Sequence, residues 1–425
     1  MMTYYEEREA APVAERERAL FDRLPEALLR ARRRAPAIAR QLQGVEPARI
    51  RDRAALAAIP VIRKSELLQA QLAQRDGPRA AGDGEPRDRV FGGFSAIGWG
   101  EAARVFASPG PIYEPESRRA DYWRFARALY AAGFRSGDLV YNCFSYHFTP
   151  AGSMMETAAH ALGCTVFPGG VGQTEQQLQA MADLQPAGYT GTPSFLRIIL
   201  EKADESGLRL PSLKRALFSG EAFPPSLQEW FRVRGIDGYQ AYGSADLGMM
   251  AYETPAREGL VVNEDLLLEI VRPGTGEPVP DGEIGEVVVT TLNPDYPLVR
   301  FGTGDLSAIL PGASPCGRGN LRIRGWLGRA DQTTKVRGMF VHPAQVAQVV
   351  ARHPGVLRAR LVVAGAVGRD NMVLRIEVPD APAGLAEQVA NTVREITKLR
   401  AEVECLAPGA LPNDGKVIDD VRDYG

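Results

Sequence analysis

Short apolar runs alternate with helix-starting signals through the middle of this chain. Strand-like segments lie at Asp138–Tyr146, Cys164–Phe167, Gly188–Thr192 and Leu213–Phe218, and each is followed by a helix-like stretch. One of these helices opens at Thr174–Gln177, which has a capping-box pattern. Strands that alternate with helices are typical of parallel sheets, so this pattern predicts a mainly parallel sheet with helices on both faces.

The pattern changes after about residue 260. Two long β-rich runs, Leu260–Val271 and Ile284–Leu292, flank a Pro-Asp-Gly turn at Pro280–Gly282, which predicts an antiparallel hairpin. After Leu327 a smaller unit with both helices and strands begins. We therefore expect an α/β fold: a large domain (residues 1–327), with mainly parallel sheets covered by helices and a β-rich subdomain, and a small mobile α+β C-terminal domain (residues 328–425).

Size, charge and cysteine spacing exclude several classes of protein. A chain of 425 residues suits a large domain plus a smaller one, and its net charge of -2 does not favour nucleic acid or an anionic membrane as a partner. No run of 18 apolar residues predicts a transmembrane helix, and the first residues do not resemble a secretory signal. The four cysteines lack metal-binding or disulfide-framework spacing. These features together predict a cytoplasmic protein.

Four short motifs contain the candidate chemistry. In Tyr242-Gly-Ser-Ala-Asp246 an aromatic ring can stack on a nucleobase, and a carboxylate can hold Mg²⁺. Asp305, which follows a glycine, can accept hydrogen bonds from the two hydroxyls of a ribose. The third motif is Gly328–Asp331, followed by Lys335–Gly338. Finally, Lys416 follows a glycine near the C-terminus, and could neutralise charge that develops between a carboxylate and an α-phosphate.

The order and spacing of these motifs resemble the adenylate-forming superfamily of acyl-CoA synthetases, peptide-synthetase adenylation domains and luciferases. Two further features are similar to phenylacetate-CoA ligases: the segment Gly170–Gln177 after Leu162–Pro168, and a helical N-terminus with Ile59–Ser65. The resemblance covers almost the whole chain. It implies ATP or AMP, Mg²⁺ and CoA as cofactors.

The resemblance implies a role for each matching position. Lys416 would be the lysine of the adenylation step, and Asp246, which stands where a Glu is usual, would act in catalysis by binding Mg²⁺. Asp331 would be the hinge about which the small domain rotates between the two half-reactions. The nucleotide-binding residues would be Gly220, Glu221, Ala222, Gln240, Ala241, Tyr242, Gly243, Ser244, Asp305 and Arg329. The substrate pocket would include Tyr146, His147 and Gly172, and the CoA face would include Lys335, Arg337 and Gly338. A packed or capping role is the alternative for His147.

The chain departs from the superfamily pattern at the phosphate loop. Phe106–Pro115 stands where a loop rich in Ser, Thr and Gly, with a lysine, is usual. This segment is rich in proline, which has no N–H to donate to a phosphate, and Glu114 adds a negative charge where pyrophosphate would lie. Gly302 replaces an arginine. These changes predict a raised KM for ATP, unless backbone groups elsewhere replace the loop.

The main hypothesis is an AMP-forming acid-thiol ligase. It would activate a small carboxylic acid, expected to be aromatic, to an acyl-adenylate and then pass the acyl group to CoA. One alternative is adenylation with transfer to a carrier protein or an amine. The other is a non-catalytic relative that binds an acyl-adenylate or CoA ester and has lost ATP chemistry. We expect no structural zinc, because Pro315–Arg318 retains one cysteine of a zinc-binding run, and a homodimer is the default assembly.

Overall fold

The computed structural model describes residues 4–76, 86–332, 334–336, 339–365, 370–412 and 416–422. The chain divides into two compact units. The large unit is Met1–Thr303 with Ala308–Gly325, and the small unit is Gly304–Ser307 with Trp326–Gly425. None of the helices in these described ranges is long and apolar enough to cross a membrane.

The large unit contains the alternating elements that the sequence predicts. Its helices are α1 (Val13–Arg34), α2 (Pro36–Gln41), α3 (Arg53–Ala57), α4 (Lys64–Asp76), α5 (Pro86–Phe91), α6 (Ala126–Ala131), α7 (Ala151–Ala161), α8 (Thr174–Leu184), α9 (Pro193–Glu205) and α10 (Pro225–Val233). Its strands are β1 (Ile62–Arg63), β2 (Ala102–Ser108), β3 (Ile112–Ser117), β4 (Leu139–Asn142), β5 (Thr165–Pro168), β6 (Gly188–Gly191), β7 (Arg215–Phe218), β8 (Asp237–Ser244), β9 (Gly248–Tyr252), β10 (Leu260–Val262), β11 (Leu266–Val271), β12 (Gly285–Thr291), β13 (Phe301–Ser307), β14 (Ile309–Leu310) and β15 (Arg322–Ile323). The last four residues of β13 belong to the small unit.

The N-terminal helix α1 packs through one apolar face. Leu20, Leu24 and Leu28 are spaced four residues apart and are all buried, as expected for an amphipathic helix on a core. The helix ends at Arg34 because the next residue, Ala35, precedes a proline and adopts an extended conformation. Helix α2 then begins at Pro36.

The main sheet has the strand order β14-β15-β10-β9-β8-β7-β6-β4-β5. Strands β5, β4, β6, β7 and β8 are parallel to one another, and β9 is antiparallel to β8. The predicted mainly parallel sheet is therefore confirmed. The capping box predicted at Thr174–Gln177 is wrong. The N-cap of α8 is Gln173 rather than Thr174, and its side chain makes no capping hydrogen bond. The side chain of Gln177 instead donates a hydrogen bond to the carbonyl of Gly169, in the loop that precedes the helix.

A second sheet of the order β1-β13-β12-β11 contains the β-rich part. Strands β11 and β12 form the predicted antiparallel hairpin, with Leu266 opposite Thr291 and Val271 opposite Glu286. The run from residue 260 to residue 271 is not one strand, however. It breaks after β10, because Asn263 and Glu264 turn inward and accept hydrogen bonds from the buried Arg127 at 3.0 and 2.9 Å. Strands β10 and β11 consequently lie in different sheets.

The small unit is an α+β structure, as predicted. Its described elements are β16 (Thr334–Val336), β17 (Met339–Val341), α11 (Pro343–Ala351), β18 (Arg358–Ala364), β19 (Asn371–Glu377), α12 (Leu385–Thr397), β20 (Glu402–Leu406) and β21 (Ile418–Asp420). Strands β18 to β21 form one sheet, in the order β20-β19-β18-β21. Its buried core includes Val346 and Val349 of α11 and Val389 and Val393 of α12.

Candidate active site

The parallel strands of the main sheet end at one edge, where most of the predicted nucleotide-binding residues of the large unit lie. Gly191 is in register with Phe218, and Phe218 is in register with Gln240, so the chain leaves β6, β7 and β8 side by side. Loops that follow the carboxyl ends of parallel strands are the usual place for ligand sites in such sheets.

The loop after β7 lies directly against β8. Ser219 Oγ donates a 2.8 Å hydrogen bond to the carbonyl of Ala241, which joins the segment of Gly220, Glu221 and Ala222 to the predicted nucleotide-binding strand. Gly220 has a φ of +80°, a left-handed conformation that glycine adopts without strain. Ser219 was missing from the sequence prediction, because a serine after a short strand has no distinguishing pattern.

Tyr242 lies within β8 and is held at its hydroxyl end. That hydroxyl is 3.4 Å from Thr303 Oγ1, and Thr303 in turn donates to the carbonyl of Val287 at 3.0 Å. The next residue must be glycine, since a Cβ on Gly243 would lie 2.9 Å from the carbonyl oxygen of Gly248. The ring of Tyr242 is thus fixed in the sheet rather than on a free loop.

Asp246 is buried and has a lysine partner. Its side chain is 2% exposed, and its Oδ2 atom lies 2.9 Å from Nζ of Lys64. Lys64 is the first residue of α4 and directly follows β1, which pairs with β13. The sequence prediction did not include Lys64. The segment Ile59–Ser65 had been noted as a feature of the resemblance, but nothing in its pattern connects it with Asp246.

The proline-rich segment forms the two-stranded hairpin of β2 and β3, with Phe106 opposite Glu114. Glu114 is fully buried, whereas the sequence predicted a charge directed at pyrophosphate. Its Oε1 atom accepts a 2.5 Å hydrogen bond from Ser108 Oγ. Burial, and then the nearby charge of Asp246, raises the pKa of the Glu114 carboxyl to about 8. Glu114 therefore faces the interior, and is largely protonated at neutral pH.

The hairpin is fastened to its neighbours on both sides. The buried side chain of Gln71 donates to the carbonyl of Tyr113 and accepts from its N–H, both at 2.9 Å. The N–H of Ala107 donates to the carbonyl of Phe148 at 2.8 Å. Phe148 follows the predicted pocket residues Tyr146 and His147, so the hairpin and the predicted acyl pocket are directly connected.

The predicted pocket residues have different environments. The hydroxyl of Tyr146 accepts a 2.8 Å hydrogen bond from Nδ2 of the buried Asn142. The side chain of His147 is exposed, so a packed role for it is excluded. Gly172 has a φ of +78° and open space around the position of a Cβ. The loop that contains it is held by Gln177, whose Nε2 donates to the carbonyl of Gly169 at 2.8 Å.

In the small unit, the predicted ribose-binding carboxylate is already hydrogen-bonded. Asp305 Oδ1 accepts from Nη1 of Arg329 at 3.2 Å and from Nε1 of Trp326 at 3.1 Å. The guanidinium of Arg329 also lies against Gly304, since a Cβ added to Gly304 would be 2.8 Å from Nη2 of Arg329. The structure thus brings Asp305 and Arg329 together. Trp326, an exposed residue outside any motif, was missed by sequence reasoning.

The predicted catalytic lysine lies on the surface of the small unit. Nζ of Lys416 is 2.9 Å from Oδ1 of Asp419. The N–H of Val417 donates to Oε1 of Gln332 at 2.7 Å, so the segment of Lys416 contacts the short 3-10 helix Ala330–Gln332, which contains the predicted hinge residue Asp331. Lys335 lies in β16. Arg337 and Gly338 lie outside the described residues.

Comparison with known proteins agrees with this geometry. The model of a family described as "AMP-binding enzyme" matches residues 119–293. The chain is 31% identical to a phenylacetate-coenzyme A ligase from Aromatoleum evansii, over 77% of this chain and 80% of that protein. It is 30% identical to a phenylacetate-coenzyme A ligase from Thermus thermophilus, over 87% of each. The chain belongs to the phenylacetate-coenzyme A ligase family of AMP-binding enzymes.

Comparison with solved structures supports the same family membership. The chain is similar to the open conformation of 2-hydroxyisobutyryl-CoA ligase in complex with 2-HIB-AMP and CoA, with a TM-score of 0.83 and 26% identity over 98% of this chain and 93% of that one. The resemblance inferred from the motifs is therefore confirmed, as is the α/β fold.

Proposed function

We propose that this protein activates a carboxylic acid with ATP and transfers the acyl group to CoA. In the first step a carboxylate oxygen attacks the α-phosphorus of ATP, the bond to the β-phosphate breaks, and pyrophosphate leaves. In the second step the sulfur of CoA attacks the acyl carbon, and AMP leaves. One observation supports this proposal most directly. In a chain of the phenylacetate-coenzyme A ligase family, the hydrogen bond from Ser219 to Ala241 holds the predicted nucleotide-binding segments Gly220–Ala222 and Ala241–Ser244 together at one edge of the sheet.

The first step brings two anions together, so positive charge should determine its rate. Lys416 is exposed, and its ammonium forms an exchangeable surface ion pair with the carboxylate of Asp419. We propose that rotation about Asp331 directs Lys416 to the reacting carboxylate and α-phosphate. Asp305 and Tyr242 would hold the ribose and the adenine.

Mg²⁺ would contribute by neutralising the phosphates as pyrophosphate leaves. The residue of this chain that fits such an ion is Asp246, since hard divalent cations prefer oxygen ligands. Lys64 would limit the negative charge that this carboxylate presents to ATP.

CoA is the acceptor that we favour over a carrier protein or an amine. Two relatives with 30% identity or more over most of this chain are named as coenzyme A ligases. The chain is also similar, over 98% of its length, to a protein whose solved structure contains an acyl-adenylate and CoA. We propose an aromatic acid such as an arylacetate as the substrate, with a short hydroxy acid as the class to test beside it.

Pyrophosphate exchange into ATP tests the first step. A panel of aryl acids and short hydroxy acids would be assayed with the natural chain, with Lys416→Ala and with Lys398→Ala. Lys398 is a matched control, because it is an exposed lysine of the same unit and takes no part in the proposed chemistry. We expect exchange that depends on one class of acid and falls about 10²–10³-fold in Lys416→Ala alone.

Two outcomes would change the proposal. A folded protein that binds AMP but supports no exchange with any acid would favour the non-catalytic alternative. If exchange occurs but CoA is not consumed, and the acyl group is transferred to an amine or a carrier thiol, then CoA is the wrong acceptor. The apparent KM for ATP, measured in the same assay, checks whether the proline-rich hairpin weakens ATP binding.

A further inference from the structure

An exposed tryptophan lies beside the carboxylate that we propose for ribose binding. Trp326 is 55% exposed, so much of its ring remains in contact with water. Its side chain nevertheless has a defined partner, because Nε1 donates a hydrogen bond to Oδ1 of Asp305 at 3.1 Å. The indole N–H can only donate and an ionised carboxylate can only accept, so the direction of this bond is fixed.

The backbone brings the two side chains together. The N–H of Leu306 donates to the carbonyl of Gly328 at 2.8 Å, and the N–H of Leu327 donates to the carbonyl of Leu306 at 2.9 Å. Asp305 itself forms an antiparallel bridge with Arg329. The carboxylate and the indole therefore belong to two backbone segments of the small unit that are paired with each other, so their contact does not depend on a free loop.

Two donors of different kinds converge on the same oxygen of the carboxylate. Nη1 of Arg329 lies 3.2 Å from Oδ1 of Asp305, the atom to which Trp326 also donates. An ionised carboxylate has about four acceptor positions, so these two bonds are compatible with further hydrogen bonds from two ribose hydroxyls. The guanidinium contributes positive charge, whereas the indole contributes a directed hydrogen bond without charge.

We infer that Trp326 is a positioning residue for ribose recognition: its indole N–H holds the carboxylate of Asp305 in the orientation that accepts the two ribose hydroxyls of the nucleotide. The inference rests on the proposed function, in which Asp305 is the ribose ligand. Trp326 acts through Asp305 rather than on the reacting atoms. A carboxylate that is already oriented loses less side-chain freedom when the nucleotide binds, so loss of the indole donor should weaken the ribose contacts in particular.

Nucleotides that lack one ribose hydroxyl test this role without requiring turnover. AMP, 2′-deoxy-AMP and 3′-deoxy-AMP would be titrated by calorimetry into the natural chain and into Trp326→Phe, which retains an aromatic ring but loses the N–H donor. Trp99→Phe is the matched control, because Trp99 is 52% exposed and lies in the large unit. Asp305→Asn shows the behaviour expected when the ribose ligand itself is altered.

We expect the natural chain and Trp99→Phe to bind AMP more tightly than either deoxy analogue. In Trp326→Phe the affinity for AMP should fall about tenfold, the size expected for one hydrogen bond to a charged group, and the affinity for the analogues should fall less. Trp326→His, whose ring N–H can donate, should restore part of this discrimination. A role limited to stabilising the fold would instead weaken all three nucleotides by the same factor. In pyrophosphate exchange, Trp326→Phe should raise the KM for ATP and leave kcat within about twofold.

The outcomes separate this inference from the proposed function. Discrimination that is lost in Asp305→Asn but persists in Trp326→Phe would overturn the role of Trp326 and leave the proposed function intact. A natural chain that does not distinguish AMP from the deoxy analogues would overturn both the ribose role of Asp305 and this inference. Discrimination that shrinks in Trp326→Phe, in a chain without pyrophosphate exchange, would support the role of Trp326 and contradict the proposed catalysis.

A measurement on the natural chain covers the case in which Trp326→Phe does not fold. The chain has four tryptophans, so ¹⁵N-labelled tryptophan gives four indole N–H signals in an NMR spectrum. One of them should shift more with AMP than with 2′-deoxy-AMP, because the ribose hydroxyls share their acceptor with the indole of Trp326. Four signals that respond equally to both nucleotides would contradict the inference.

Discussion

Replacing Arg300 with alanine should destabilise the large unit more than most single substitutions. Arg300 is 2% exposed and donates to both carboxylate oxygens of Glu269, at 3.0 and 3.1 Å. It also donates to the carbonyls of Ala57 and Ile59 at 2.6 Å and of Gly276 at 2.7 Å. One side chain thus joins the segment before β1, strand β11 and the loop after β11.

The magnitude follows from what the substitution leaves behind. Removal of one partner from a buried ion pair costs about 3–5 kcal/mol, because the remaining charge stays buried without compensation. The three carbonyls lose charge-assisted donors as well, so we expect a loss of about 4 kcal/mol in the free energy of unfolding. Burial raises the pKa of Glu269, and Arg300 opposes this rise. Without Arg300 the pKa should rise further, so the loss should be larger at pH 8 than at pH 6.

Urea unfolding followed by tryptophan fluorescence would measure the effect. Trp99, Trp123 and Trp230 lie in the large unit and Trp326 in the small one, so the signal reports mainly on the relevant unit. Arg232→Ala is the control, because the ion pair of Arg232 with Glu229 is exposed, and its removal should not shift the midpoint measurably.

A loss below about 1 kcal/mol in Arg300→Ala would refute the reasoning, since it would mean that the interior accommodates the orphaned carboxylate. The double variant Arg300→Ala, Glu269→Ala gives an independent check. It should be less destabilised than the sum of the two single variants, because it leaves no buried charge.

Two further predictions concern stability. Burial alone would raise the pKa of Asp265, but hydrogen bonds from Arg8 and the charge of Arg127 hold it at about 2, below its unfolded value. This lowered pKa contributes roughly 2 kcal/mol above pH 4 that is lost as the pH falls toward 2, so Asp265→Asn should be destabilised in urea at pH 7 and by about half as much at pH 3; an equal loss at both pH values would contradict the linkage. Gly188→Ala would place a Cβ 2.3 Å from Cε1 of Phe134, so it should cost about 1–3 kcal/mol and lower the Tm, and an unchanged Tm would show that the ring moves aside freely.

The parallel strands were predictable because their sequence pattern is local. Four buried strands, each followed by a helix start, can form few arrangements other than a covered parallel sheet. The break between β10 and β11 was not predictable, since it depends on Arg127, which lies more than 130 positions earlier in the chain.

Sequence reasoning identified candidate site residues where a recognisable motif contains them. Asp305 and Arg329 were both identified, and they meet in the structure. Lys64 and Trp326 were missed because their partners are remote in sequence or because no motif contains them. The orientation of Glu114 was beyond sequence reasoning for another reason: an acid in a proline-rich segment is expected to face solvent, and only the pairing of β2 with β3 turns it inward.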